Sequence, residues 1–265
     1  MSVDKIKLYT FPPSLYASIS RLLIAEKSVK NVEYVNVDLS KAENFSPGYL
    51  RKNPQHTVPA LEVTDADGKT IIETDSIQVC KVLDKISGNP LLETSENAEV
   101  IDEYVKDMHK NADVGNVLFF TSRDEAELAK KKDLIVPFLE GRLQGWHQYR
   151  EQAPEYKNLY EQNIKSTQTA IAQYKGEADP KRLFDTNARM WSMAVAFLDK
   201  TEKLLKESKG DYIFGDYTLA DVHLTAWLYR QVLVRGEENF QGRPALKAYY
   251  DRVKSRPSFK ETWGQ

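Results

Sequence analysis

Three short segments of the sequence carry residue types that could do chemistry. Two hydroxyl side chains, Ser14 and Tyr16, follow a Pro12-Pro13 pair and stand at the start of a helical pattern. A hydroxyl there could interact with an anion, because the first N–H groups of a helix attract negative charge. Asp75-Ser76 opens another helical pattern with the same capacity, and Val58-Pro59 precedes a strand. The alternatives without chemistry are a helix cap for the polar residues and an ordinary strand entry for Val58-Pro59.

Cysteine and histidine usage excludes several kinds of site. The single cysteine, Cys80, cannot form an intramolecular disulfide, a Cys-rich metal site or a CxxC redox pair. The four histidines lie far apart, at positions 56, 109, 147 and 223. None of them has the helical spacing of a metal-ligand pair, so no metal is expected. Cys80 falls on the apolar face of a helical pattern, where a buried structural role is favoured over a redox role.

Charge and hydropathy narrow the range of partners and locations. The formal net charge is −2, from 37 basic and 39 acidic residues that are well mixed along the chain. Neither nucleic acid nor an anionic membrane is therefore an expected partner. No apolar run approaches the ~18 residues that a membrane span requires, and Met1 to Lys5 has no secretory-signal character. These features favour a cytoplasmic protein in a reducing compartment.

Residues 1–88 alternate between strand and helix patterns. Period-2 alternation or short apolar runs predict strands at 5–11, 32–37, 58–63 and 69–73, and helical periodicity follows Ser14, Ser46 and Asp75. The last two strands flank Asp65-Ala66-Asp67-Gly68, which predicts a hairpin. The helix between the first two strands predicts that they are parallel. The order β-α-β-α-β-β-α is that of a thioredoxin-like α/β domain.

The rest of the chain is predicted to be an all-helical domain, residues 96–265. Gly, Asn and Pro cluster near 88–95, which places the boundary between the two domains there. Amphipathic helical patterns follow at 97–120, 123–150, 155–175, 185–208, 218–235 and 244–255. Thr218 and Asp221 have the spacing of a capping box at the start of one of these helices.

Four motifs together resemble the cytosolic glutathione transferase superfamily over roughly 1–120 and 185–260. The motifs are the strand Leu8-Tyr9 with Ser14 and Arg21, the segment Asn53-Pro54-Gln55-His56-Thr57-Val58-Pro59-Ala60-Leu61, the segment Asp75-Ser76-Ile77-Gln78-Val79, and Gly215 to Asp221. The second is similar to the family's N-P-x-x-x-V-P-x-L, and the third to its E/Q-S-x-x-I. The spacing of Ser14 and Arg21 is closest to the zeta class and to reductive dehalogenases of the tetrachlorohydroquinone type.

The resemblance implies that Ser14 activates the thiol of glutathione. Holding that thiol as a thiolate near pH 7 requires lowering its pKa from ~8.5 by about one to two units, roughly 1.4–2.7 kcal/mol. A hydrogen bond to a charged acceptor supplies ~1.5–3 kcal/mol and a helix N-terminus ~0.3–1 kcal/mol. Ser14 is therefore sufficient without a general base. Tyr16 stands where those relatives carry a cysteine, which disfavours mixed-disulfide and dehalogenation chemistry. Tyr16 is read as a wall residue, with its phenol as an alternative donor.

The resemblance also assigns the residues that hold glutathione, a co-substrate. It implies a cis peptide bond before Pro59, so that the backbone of Val58 pairs with the cysteinyl unit. His56 and Thr57 map to positions at the glycine end. Ser76, with the helix N-terminus, receives the γ-glutamyl carboxylate, and Asp75 can pair with the amino group.

What remains open is the second substrate. The resemblance implies a homodimer in detoxification that transfers glutathione to a small hydrophobic electrophile, and a non-catalytic carrier or regulatory protein of the same fold is the alternative. Met108 and His109 are candidates for the acceptor pocket, with a core or surface role equally open. The stretch 121–184 is longer than a typical transferase has. An extended helical hairpin is favoured there over a lid or enlarged wall of the acceptor site.

Overall fold

The computed structural model of the protein describes residues 3–88, 98–109 and 114–264. Its sheet has the strand order β2-β1-β3-β4. The strands are β1 (Val3–Thr10), β2 (Val32–Asn36), β3 (Ala60–Asp65) and β4 (Thr70–Glu73). β1 runs parallel to β2 and antiparallel to β3, and β3 and β4 form the predicted hairpin. β3 starts two residues later than predicted, because Pro59 has no N–H to donate to a strand ladder.

Three helices complete the first half, and a side chain caps each of them. They are α1 (Leu15–Lys27), α2 (Pro47–Lys52) and α3 (Ser76–Ile86), capped by Ser14, Ser46 and Asp75. Each cap accepts a hydrogen bond from a backbone N–H of the first turn, as a short polar residue at this position favours. The predicted order β-α-β-α-β-β-α is confirmed.

The second half is helical, as predicted. Its helices are α4 (Ala98–His109), α5 (Val114–Phe120), α6 (Glu125–Gln152), α7 (Lys157–Lys175), α8 (Lys181–Glu207), α9 (Leu219–Arg235), α10 (Pro244–Lys254) and α11 (Pro257–Trp263). The predicted helix 97–120 corresponds to α4 and α5, and residues 110–113 between them lie outside the described residues. The predicted domain boundary near 88–95 also falls mostly outside them. α11 begins at a proline, which suits the first position of a helix, and its pattern was too short to be predicted.

One hydrophobic core joins the two halves. Leu22 and Leu23 of α1 belong to the same buried cluster as Ile101 of α4 and Leu224 of α9. Cys80 lies in this cluster and is fully buried, and burial raises the pKa of its thiol to about 12. The thiol is therefore protonated at neutral pH and packs as a small apolar group.

The capping box of α9 is present as predicted. The Asp221 carboxylate accepts from the Thr218 backbone N–H at 2.8 Å, and Asp221 is fully buried. Tyr249 donates to the same carboxylate at 3.0 Å. These contacts fix the start of the central helix of the second half, so the motif is structural.

The hairpin of α6 and α7 packs onto the loop that follows β2. Two glycines of α6, four residues apart, face this loop. A Cβ atom would lie 2.5 Å from the Ser40 carbonyl oxygen at Gly141, and 2.1 Å from the Lys41 carbonyl oxygen at Gly145. Only glycine permits this approach of helix to backbone. α6 therefore lies in direct contact with this loop. The residues of α6 next to the two glycines face the space beside the loop.

Candidate functional site

A cavity of about 750 Å³ lies between the two halves of the molecule. One side, here called the loop wall, comes from residues 11–16, 39–45 and 56–58; the other, the helical wall, comes from α5, α6, Asn163 of α7 and Arg230 of α9. Five of the predicted site residues line this cavity: Ser14, Tyr16, His56, Thr57 and Val58. The other three, Pro59, Asp75 and Ser76, do not line it.

Ser14 lies at the N-terminus of α1. Its backbone N–H donates to the Phe11 carbonyl at 2.8 Å, and its Oγ accepts from the Ala17 N–H at 3.3 Å. Its hydroxyl hydrogen has no acceptor among the residues that the structure describes. Ser14 thus combines a capping role with a donor at the cavity surface, where the N–H groups of the first helical turn favour an anion.

Tyr16 lines the cavity two residues later and contacts His109, which is itself paired with a second histidine. Its ring centroid lies 5.4 Å from that of His109, and Nε2 of His109 is 2.8 Å from Nδ1 of His223. Burial lowers the pKa of His109 to about 4, and the nearby Asp75 carboxylate offsets this only in part. Met108 is buried, and neither it nor His109 lines the cavity. Met108 is therefore a core residue, and His109 lies behind Tyr16.

Side chains inside the first half fix the segment 53–58. The buried Asn53 amide donates to the carbonyl and the hydroxyl of Thr57, at 2.9 and 3.1 Å. The Asn44 amide donates to the His56 carbonyl at 2.6 Å, and the Tyr49 hydroxyl to the Thr57 carbonyl at 2.6 Å. These bonds hold His56 in a left-handed conformation, with φ +47°.

The peptide bond between Val58 and Pro59 is cis, as the resemblance implied. Within the described part of the chain, neither the N–H nor the carbonyl of Val58 makes a hydrogen bond. Such a backbone edge can pair with an extended peptide as an added strand does.

Asp75 and Ser76 lie at the start of α3. Oδ1 of Asp75 accepts from the N–H groups of Ile77 and Gln78, at 3.0 and 3.1 Å, and so caps the helix. Ser76 is nearly buried. Asp75 acts on the pKa of His109, whose ring contacts Tyr16. The start of α3 therefore lies near His109, against which the Tyr16 ring packs.

The helical wall is mainly apolar and aromatic. Phe119, Phe120 and Phe138 line it, and the ring centroids of Phe120 and Phe138 are 5.4 Å apart. Two cations interrupt it: Arg230 donates to the Pro13 carbonyl at 2.5 Å, and Arg142 donates to the Leu39 carbonyl at 2.6 Å. The sequence left an enlarged wall as the less favoured alternative for 121–184, because the apolar spacing of α6 does not distinguish a core face from a cavity face.

Two further properties come from the described residues alone. Among 3–88, 98–109 and 114–264, no three or more His, Cys, Asp or Glu side chains cluster as metal ligands would. No helix in those ranges has the length and apolar character that would let it cross a membrane.

The chain is similar to known proteins over nearly its whole length. The family model for Glutathione S-transferase, N-terminal domain, matches residues 4–79, and that for Glutathione S-transferase, C-terminal domain, matches residues 165–261. The chain is 23% identical over 267 residues to Tetrachloro-P-hydroquinone reductive dehalogenase of Sphingobium chlorophenolicum, covering 97% of this chain and 95% of that protein. It is 26% identical over 260 residues to Glutathione S-transferase 2 of Saccharomyces cerevisiae, covering 97% of this chain and 89% of that protein.

The fold is also found among solved structures. A glutathione transferase family member from Pseudomonas fluorescens, crystallised with two glutathione bound, aligns with a TM-score of 0.65 at 15% identity, over 98% of this chain and 92% of that one. At this identity the similarity concerns the fold.

Proposed function

Because the chain belongs to the glutathione S-transferase superfamily, we propose that it catalyses attack of the glutathione thiolate on a hydrophobic electrophile, with Ser14 as the hydrogen-bond donor to the sulfur. One observation carries the proposal. The Ser14 hydroxyl, at the N-terminus of α1, lines the same cavity as the unpaired backbone of Val58 and an aromatic helical wall. A thiolate donor, a peptide-binding edge and an apolar acceptor space thus adjoin one another.

The energetics of thiol activation support this role for Ser14. The shift needed at neutral pH, roughly 1.4–2.7 kcal/mol, lies within what one hydrogen bond to a charged acceptor contributes. The N-terminus of the 13-residue helix α1 adds to it. Tyr16 lines the cavity beside Ser14 and is the alternative donor.

The remaining predicted residues are proposed to hold the peptide. The N–H and carbonyl of Val58, exposed by the cis bond to Pro59, pair with the cysteinyl backbone, and His56 and Thr57 face the glycine end. Asp75 and Ser76 take the γ-glutamyl end at the N-terminus of α3. The N-terminus of α3 supports this, since the first N–H groups of a helix favour a carboxylate.

We also propose the domain division, the oligomeric state, the location and the biological role of the protein. Residues 1–88 form the glutathione-binding domain and 96–265 the helical domain of a cytoplasmic homodimer that acts in detoxification. Light scattering on the purified protein tests the dimer directly, since a monomer has a mass of 30.4 kDa.

Cysteine-dependent chemistry is not supported, although one relative is named a reductive dehalogenase. The single thiol, Cys80, is fully buried and its pKa is raised to about 12, so it cannot serve as a nucleophile at the cavity. A carrier without turnover is the alternative that the test must separate.

The test compares Ser14→Ala, Ser14→Thr and Tyr16→Phe in turnover of a chlorinated aromatic with glutathione. Ser14→Ala is expected to raise the pKa of the bound thiol by about one to two units and to lower kcat/KM roughly 10- to 100-fold. Ser14→Thr keeps a hydroxyl and a helix cap and should retain most activity. Unchanged activity in Ser14→Ala, with loss in Tyr16→Phe, would move the donor role to Tyr16. Wild-type protein that binds glutathione without any turnover would support the carrier.

A further inference from the structure

The helical wall carries a cation whose charge no carboxylate of the described residues balances. Arg142 lies on α6 and lines the cavity. Its Nη1 donates to the Leu39 carbonyl at 2.6 Å, the one hydrogen bond it makes within the described ranges. Burial lowers the pKa of Arg142 to about 10. Because that value is still far above neutral pH, the guanidinium is charged, and four of its five N–H donors have no acceptor among the described residues.

Three other arginines that are largely shielded from solvent in this protein form ion pairs. The ion pairs are Arg235 with Glu127, Arg243 with Asp199, and Arg256 with Glu26. Such pairing is the general pattern, since a shielded charge is unfavourable unless a counter-charge or hydrogen bonds compensate it. Arg142 departs from this pattern at the surface of a cavity large enough for a ligand.

Aromatic rings hold the Arg142 guanidinium in place. Its central carbon lies 4.7 Å from the ring centroid of Trp146, 5.5 Å from that of Phe45 and 5.7 Å from that of Phe138. Rings attract a cation through their faces without satisfying its N–H donors. The aromatic rings therefore hold the guanidinium in place before a ligand binds. Its remaining N–H donors are available to a ligand in the cavity that Arg142 lines.

The position of Arg142 shows at which end of the cavity it can contact a ligand. The Phe45 ring stacks on the His56 ring at 4.3 Å, so one aromatic ring links Arg142 to His56. Burial and the positive charge of Arg142 both lower the pKa of His56. The cation therefore lies at the junction of the two walls, beside the end of the loop wall to which the proposed function assigns the glycine unit.

We propose that Arg142 binds a carboxylate of the bound ligand at this junction, an inference that rests on the proposed function. A planar guanidinium matches a carboxylate with two parallel hydrogen bonds, which a lysine cannot reproduce. Two carboxylates could occupy the position. One is the glycine carboxylate of glutathione, and the other is a carboxylate carried by the second substrate, which would make that substrate an anionic aromatic compound.

The experiment measures dissociation constants by calorimetry for four ligands. Glutathione is paired with its glycinamide analogue, and S-(4-carboxybenzyl)glutathione is paired with S-benzylglutathione. The proteins are wild type, Arg142→Met, Arg142→Lys and the control Arg150→Met, which removes a charge from the same helix outside the cavity lining. Melting temperatures establish that each variant is folded.

A role in binding the glycine carboxylate predicts that wild type prefers glutathione to its glycinamide by about 10- to 100-fold, and that Arg142→Met abolishes this preference. A role in binding the second substrate predicts instead that Arg142→Met abolishes the preference for the carboxybenzyl over the benzyl conjugate. In either case Arg142→Lys recovers only part of the preference, and Arg150→Met behaves as wild type.

Three results overturn the inference. If Arg142→Met matches wild type for every ligand, Arg142 contacts none of them. Equal weakening of all four ligands would show a structural role. Wild-type protein that binds none of the four would overturn the proposed function itself, whereas the first two results leave it intact.

Discussion

The two walls of the cavity are built by different means. Hydrogen bonds from Asn44, Tyr49 and Asn53 to successive backbone carbonyls fix part of the loop wall. The packing of side chains on α5 and α6 builds most of the helical wall, and Gly141 and Gly145 set its distance from the loop. Backbone geometry suits recognition of one peptide, whereas an apolar face selects ligands by shape and area. Arg142 apart, the difference predicts that changes in the loop wall affect the binding of glutathione, and that changes in the helical wall affect the binding of the second substrate.

Removing the Asn53 amide is expected to have the largest effect. Asn53 is fully buried, and Asn53→Ala removes the partner of the Gln55 N–H and of the Thr57 hydroxyl and leaves the Thr57 carbonyl bonded to Tyr49 alone. The free energy of unfolding should fall by about 2–3 kcal/mol, because buried polar groups lose their bonds. Glutathione should bind more weakly, because the segment that carries Val58 is no longer held. Urea unfolding and calorimetry measure the two effects.

A matched asparagine in the helical wall provides the control. Asn163 donates to the Leu159 carbonyl at 2.8 Å within α7 and also lines the cavity. Asn163→Ala should change stability by only about 0.5 kcal/mol and leave glutathione affinity unchanged. If Asn53→Ala and Asn163→Ala weaken glutathione binding equally, the loop wall is not the main binding surface for glutathione.

Filling the glycine contact between the walls should have the next largest effect. In Gly145→Ala the new methyl group would meet the Lys41 carbonyl, which is backbone and cannot move cheaply. Overpacking costs about 1–3 kcal/mol, and the gain in helix propensity offsets roughly 1 kcal/mol of it. We expect a net loss of up to about 2 kcal/mol, measured by urea unfolding.

Gly48→Ala is the matched control, since Gly48 is also helical but no atom lies within 4 Å of the place that its new methyl group would take. That variant should gain up to about 1 kcal/mol. Equal stability changes at the two glycines would show that α6 does not depend on close approach to the loop.

The two walls also differed in how far the sequence predicted them. In the loop wall, the segment 53–59 resembles a family motif, and that resemblance implied the cis bond before Pro59, which the structure contains. Asp75 caps α3, a role that the sequence allowed alongside binding of glutathione, and its contact with glutathione stays a prediction. In the helical wall, Phe138 and Arg142 follow ordinary helical spacing. Whether such a face meets a core or a cavity depends on tertiary packing, which local pattern does not encode.

Truncating the aromatic face should have the smallest effect, and it tests the helical wall alone. Phe138 packs against Phe120 and lines the cavity. Phe138→Ala should lower the affinity for S-hexylglutathione by about fivefold, roughly 1 kcal/mol, because apolar contact area is lost. Its affinity for glutathione itself should stay at the wild-type value, since the peptide is held by the loop wall. Calorimetry with the two ligands gives the ratio directly.

Phe184→Ala is the control for general loosening of the same region. Phe184 packs on the cluster formed by α6 and α7 but does not line the cavity. Phe184→Ala should lower the free energy of unfolding and leave the affinities for both ligands unchanged. If the ratio of the two affinities changes only in Phe138→Ala, the change comes from the cavity surface and not from general loosening. If Phe138→Ala weakens the binding of both ligands to the same extent, the aromatic face contributes to binding the peptide. In that case the two walls do not bind separate ligands beside Arg142, where they come closest.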